Sequence, residues 1–136
     1  MSKTFINPPE LFDSQQYGFS QGVSGKSGRW VVLSGQVAWN ANLDLPDDRT
    51  LCGQADASFA NMARAMRAAG GTLADVVSIR LYIVADQMPH TDCLSELLLR
   101  YFPADGLPAT TWIGVTCLTQ PERLREMDAF SVIDDA

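Results

Sequence analysis

Histidine occurs once in this sequence, at position 90, so no histidine-rich metal site can be built within one chain. Cysteine occurs three times, at 52, 93 and 117. That odd count at wide spacing fits neither a disulfide framework nor a zinc-ligand pattern, and it reads as a reduced protein with buried, inert thiols. No apolar run approaches the roughly 20 residues that cross a bilayer, which excludes a spanning helix. Met1 to Glu10 lacks the apolar core of a secretory leader, and the expected location is cytoplasmic. Positive charge is also scarce. Ten lysines and arginines face sixteen acidic residues, for a net charge of −6. Arg64, Arg67, Arg80 and Arg100 are scattered, so the basic patch of a nucleic-acid surface is missing. There is no low-complexity segment and no repeat of solenoid period.

What remains is a chain of 136 residues with 46% hydrophobic and 19% charged composition, suited to one domain over residues 1–136. Phe5 to Pro9 reads as an extended lead-in. Tyr17 to Val23 reads as a first strand, followed by a glycine turn at Ser24–Gly28. Arg29 to Trp39 is the strongest strand signal. Its run Trp30-Val31-Val32-Leu33 predicts burial on both faces. Ser34-Gly35-Gln36 interrupts that strand, as a bulge or a close approach would. Asn40 to Arg49 is a loop.

Apolar residues at Phe59, Met62, Ala63, Met66 and Ala69 recur at helical spacing and predict a helix over Gln54–Ala69, ended by Gly70-Gly71. Val76 to Val84 is a strand with Arg80 as its one charge. Thr91 is placed to cap a second helix carrying Leu94, Leu97, Leu98 and Tyr101, which Pro103 stops. Two strands close the chain, Pro108–Val115 and Leu124–Phe130. The predicted order is β-β-α-β-α-β-β: an α+β sandwich, with both helices on one face of a mixed sheet. Side chains alternate along a strand, so Glu126 and Asp128 share a face. Carboxylates in apolar company need partners, an interface or a chemical task.

Several stretches, in order, resemble one family. Gly18-Phe19-Ser20-Gln21-Gly22 looks like a Pro-Tyr-Ser-Gln-Ala motif. Val32-Leu33-Ser34-Gly35-Gln36-Val37 is similar to a second-strand signature. Gln54 through Asn61-Met62 to Ala68-Ala69-Gly70, then Asp75-Val76-Val77 and Leu81-Tyr82-Ile83, follow the family's first helix and third strand. Phe102-Pro103, Pro108-Ala109-Thr110-Thr111 and Glu126-Met127-Asp128-Ala129 follow its C-terminal half. From about Gly18 to Val132 the chain resembles the RidA/YjgF/YER057c/UK114 (Rid) enamine/imine deaminases.

The resemblance implies a chorismate-mutase-like homotrimer with a central barrel and small-molecule sites in the clefts between subunits. It also implies hydrolysis of C=N bonds without metal or organic cofactor. Glu126 would position water, or else hold a subunit interface. Phe19, Ser34, Gly35, Thr110, Thr111 and Trp112 would contact ligand, or else serve as ordinary strand and packing residues. Tyr17 joins them as a wall residue, and Asp128 takes a structural or rim role. Where these deaminases carry a carboxylate-binding arginine, directly after Pro-Ala, this chain has Thr110. Their motif tyrosine is replaced by Phe19. A threonine cannot fork onto a carboxylate or neutralise it. Arg29, Arg80 and Arg123 are the arginines that could substitute. The alternative is a non-catalytic ligand-binding or regulatory trimer. A ribonuclease reading fits poorly with the acidic charge.

Overall fold

Strand β1 (Lys3–Ile6) pairs antiparallel with β2 (Gly22–Gly25) as a separate two-stranded ribbon. A four-stranded sheet follows, built from β3 (Arg29–Gln36), β4 (Val76–Val84), β5 (Ala109–Val115) and β6 (Arg125–Ile133). Its spatial order is β3-β6-β4-β5. The β4–β5 pair is parallel and the others are antiparallel, so the sheet is mixed, as expected. Helices α1 (Leu51–Ala68) and α2 (Asp92–Tyr101) complete the fold. The computed structural model describes residues 3–135.

Each helix forms for local reasons and is held by one face. Thr50 caps α1 with its hydroxyl, which accepts from Gly53 N at 3.2 Å. Gly70, with φ of 89°, supplies the left-handed turn that ends it. Phe59, Met62 and Met66 on α1 are fully buried, as are Leu94 and Leu98 on α2. They pack with Ile79, Leu81, Ile83, Met127 and Ala129 from the sheet into one core. Burial of each such side chain contributes about 1.5–3 kcal/mol. Phe59 stacks on Tyr101 with ring centroids 5.1 Å apart. The Tyr101 hydroxyl donates to Asp56, and its removal from water with that hydrogen bond pushes the phenol up to about 12.

Gln54 ties α1 to the start of β6. Its amide nitrogen donates to Arg49 O and Glu122 O, both at 3.0 Å. Its oxygen accepts from Leu124 N at 3.1 Å. The loop that delivers Arg123 and Glu126 is therefore anchored on the helix.

Several expectations are corrected. The expected strand Tyr17–Val23 is present only at its end: Ser14–Tyr17 is a 3-10 turn capped by Asp13, Ser20 makes an isolated bridge to Ala109, and β2 starts at Gly22 and runs into the expected Ser24–Gly28 turn. The order thus begins with three strands before α1 rather than two. The Trp30–Leu33 run is covered on one face only, where Val31 and Leu33 are half-buried against the core. Trp30 and Val32 are 72% and 71% exposed on the side of the sheet that carries no helix. Thr91 does not cap α2 with its side chain. It already has helical backbone, and its hydroxyl donates to Met88 O at 3.1 Å. The cysteines are not three buried thiols: Cys52 and Cys93 form a disulfide between the first turns of α1 and α2, and Cys117 is exposed. The expected bulge is present, as a register shift between Leu33 and Gln36.

Candidate functional site

A cleft of about 630 Å³ opens beside the first residues of β5. Three segments line it. Tyr17 comes from the end of the 3-10 turn and Phe19 from the segment after it, Thr91, Asp92 and Ser95 from the head of α2, and Thr110, Thr111 and Trp112 from β5. Strand β5 is a margin of the sheet, so the cleft wraps its edge and meets residues from both faces. Thr110 is nearly buried, while Thr111 is exposed on the opposite face.

Hydrogen bonds to backbone carbonyls fix these walls. Ser20 N donates to Pro108 O at 3.0 Å and Ser14 Oγ to Phe19 O at 2.8 Å. Phe12 packs edge-on against Phe19, centroids 6.2 Å apart. The Thr110 hydroxyl donates to Pro108 O at 3.2 Å, which leaves its oxygen free to accept. The indole nitrogen of Trp112 is buried without a partner. Phe19, Thr110, Thr111 and Trp112 are thus brought together, with Tyr17. Thr91, Asp92 and Ser95 were not foreseen, and their only sequence signal is their spacing of one helical turn.

Glu126, Ser34 and Gly35 lie elsewhere in the chain. Glu126 projects from the helix-free face of β6, and its carboxylate rests where a side chain on Gly35 would be. Arg123 Nη1 is 3.5 Å from Glu126 Oε1. The same guanidinium lies 4.1 Å over the Trp39 ring. Ser34 and Gly35 line a second cleft of about 400 Å³ with Ser78, Arg80 and Asp128. There Arg80 Nε and Nη2 donate to the two Asp128 oxygens at 3.1 and 3.0 Å. Tyr82 adds a third hydrogen bond to Asp128 at 3.2 Å, and its phenol is pushed up, chiefly by loss of hydration.

None of the three substitute arginines lines the β5 cleft. Arg29 Nη2 donates to Ala69 O at 2.8 Å, Arg80 holds Asp128, and Arg123 faces Glu126. A fourth arginine was overlooked. Arg125 is 1% exposed on the core face, and none of its three guanidinium nitrogens has a hydrogen-bond partner. Burial pulls it down to about 9, against a small opposing pull from Glu126. Among the described residues, no group of His, Cys, Asp and Glu could hold a metal ion, and no helix is long and apolar enough to cross a membrane.

The endoribonuclease L-PSP family profile matches residues 14–133. No curated protein matches the sequence. The chain is similar to the crystal structure of YyfB from Yersinia pestis, a Rid-family protein of unknown function. They share 35% identity with a TM-score of 0.90, over 98% of this chain and 100% of that one. It is also similar to a YjgF/YER057c/UK114 member from Mycobacterium tuberculosis, with 27% identity and TM-score 0.63, over 97% and 100%. RidA from an Antarctic Psychrobacter shares the fold at 22% identity and TM-score 0.70, over 98% and 99%. The chain belongs to the endoribonuclease L-PSP family, whose solved members include the Rid and YjgF/YER057c/UK114 proteins.

Proposed function

We propose that the chain is a Rid-like hydrolase of a C=N bond in a small metabolite, working without the carboxylate-binding arginine of the deaminases. The observation that carries this reading is the β5 cleft, which gathers Phe19, Thr110, Thr111 and Trp112 around a space of about 630 Å³. In this reading Glu126 positions water and moves protons. Glu126, Ser34 and Gly35 would reach the cleft from a neighbouring copy in a homotrimer. The apolar surface of Trp30 and Val32 on the same bare sheet face supports such an association. A cytoplasmic location and the absence of a cofactor belong to the same proposal. Hydrolysis of RNA is disfavoured, because the net charge is −6 and no cation lines the cleft.

The test is ammonia release from freshly generated imines by wild type and Glu126→Gln. A loss of about 100-fold or more in the variant, at unchanged assembly mass, supports the reading by the usual weight of a general acid–base group. An equal rate in both would overturn it. The Arg123–Glu126 ion pair favours a second reading, in which that carboxylate is structural and the trimer only binds ligand. Ligand binding with no turnover of any imine would select that one.

A further inference from the structure

The β5 cleft carries an unbalanced charge. Asp92 is the one charged residue on its lining, and no lysine, arginine or histidine joins it. Among the described residues the Asp92 carboxylate makes no hydrogen bond or ion pair, and it is exposed. His90, nearby in sequence, lines a different cleft with Cys52 and Cys93. Three aromatic rings share the lining with Asp92: Tyr17, Phe19 and Trp112. Phe12 braces two of them from behind, 6.4 Å from Tyr17 and 6.2 Å from Phe19.

Aromatic faces beside a free carboxylate attract cations, and organic cations above all, because their apolar body is desolvated at low cost. The amino end of α2 would by itself favour an anion. Asp92 sits in that first turn with its own negative charge, so a ligand carboxylate would meet repulsion that no cation on this lining offsets, and a Glu126 arriving from a neighbouring copy already holds Arg123 as its own partner. The hydroxyls of Thr110, Thr111 and Ser95 can hydrogen-bond a ligand N–H but cannot neutralise an anion.

From this juxtaposition we infer that the cleft selects a small organic cation with an apolar body, such as an ammonium or a protonated imine, and rejects carboxylates. The inference rests on the hydrolase reading only for its chemistry. With a protonated imine as substrate the step is R₂C=NH₂⁺ + H₂O → R₂C=O + NH₄⁺. Water adds to carbon, the C–N bond breaks, and the positive charge leaves with ammonia, so Asp92 faces a cation before and after.

The test uses three probes of one shape: benzylammonium, benzyl alcohol and benzoate, titrated calorimetrically near neutral pH. Benzylammonium should bind the wild type roughly tenfold or more tighter than benzoate, with the alcohol between them. Asp92→Asn should bring benzylammonium to within about threefold of the alcohol, while leaving the alcohol's own affinity unchanged. The ranking on wild type needs no variant, so a poorly folded Asp92→Asn does not remove the test. Benzoate binding as tightly as benzylammonium, or no probe binding at all, would overturn the inference. Cation selectivity without imine turnover would sink the hydrolase reading alone. Turnover of imines with no charge preference would sink only the selectivity.

Discussion

Gly35 and Glu126 occupy what is nearly a single space: a Cβ added at 35 would overlap the Oε2, Cδ and Cγ atoms of the glutamate. The glycine lies in the bulge of β3, and the carboxylate folds over it towards Arg123. A backbone feature of one strand thus decides where an acid on the next strand can point.

Gly35→Ala should therefore swing Glu126 into another rotamer at small cost in stability, of order 0.5–1.5 kcal/mol. If Glu126 is the catalytic acid, the alanine variant loses as much ammonia-releasing activity as Glu126→Gln. Steady-state assays of both variants, beside their circular dichroism spectra, check this. Full activity in Gly35→Ala would show that the position of Glu126 does not matter to turnover.

Thr110→Arg restores the guanidinium at the head of β5. Activity toward 2-imino acids should rise by roughly 10-fold or more, since a charge-assisted pair with a carboxylate is worth about 1.5–3 kcal/mol. The measurement is kcat/KM on a carboxylate-bearing imine. A folded variant with an unchanged rate would mean that Trp112 and Phe19 have reshaped the cleft beyond repair by one side chain.

Arg125→Met removes a buried cation that has no partner. Stability should increase by about 1–4 kcal/mol at neutral pH, read from urea denaturation. The advantage is pH-dependent, because burial lowers the folded-state value to about 9 while the unfolded arginine keeps its ordinary, much higher value. Below about 9 both states hold the proton and the penalty is constant. Between these values the unfolded chain holds more protons, so wild-type stability rises with pH through this group. The gap between variant and wild type should then narrow.

Reduction should weaken the fold through the first turns of the two helices. Cys52 and Cys93 are 41 positions apart, and closing such a loop stabilises by about 4 kcal/mol in the chain-entropy model. Thermal melts with and without reductant, in a Cys117→Ser background, measure it. Cys52→Ser should melt as the reduced protein does. Identical melting in all conditions would show that the bond contributes nothing.

Much of this architecture was legible because it rests on periodicity. Val76–Val84 emerged with its full bounds, and the stripe of Phe59, Met62 and Met66 located α1. Failures came where a local polar interaction outbid the pattern. Asp13 and Gly18 bend the chain into a 3-10 turn just where aromatic residues imitate a strand. A 3-10 turn containing Pro89 runs straight into α2, so Thr91 has no extended backbone from which to cap. The disulfide needed the two helix starts to meet, which no spacing reveals. Arg125 was legible and overlooked: the alternation that puts Glu126 and Asp128 outward puts Arg125 inward with Met127. The aromatic and hydroxyl half of the cleft followed from the motifs, whereas Asp92 became visible only once α2 lay beside β5.

The helix-free side of the sheet leaves the indole of Trp30 and the methyls of Val32 in water, with strands β3 and β5 as open margins. If the proposed homotrimer covers that surface, folding is coupled to mass action. Dilution would then act as a denaturant for this chain, and its melting temperature should climb with protein concentration instead of standing as a fixed property of the fold.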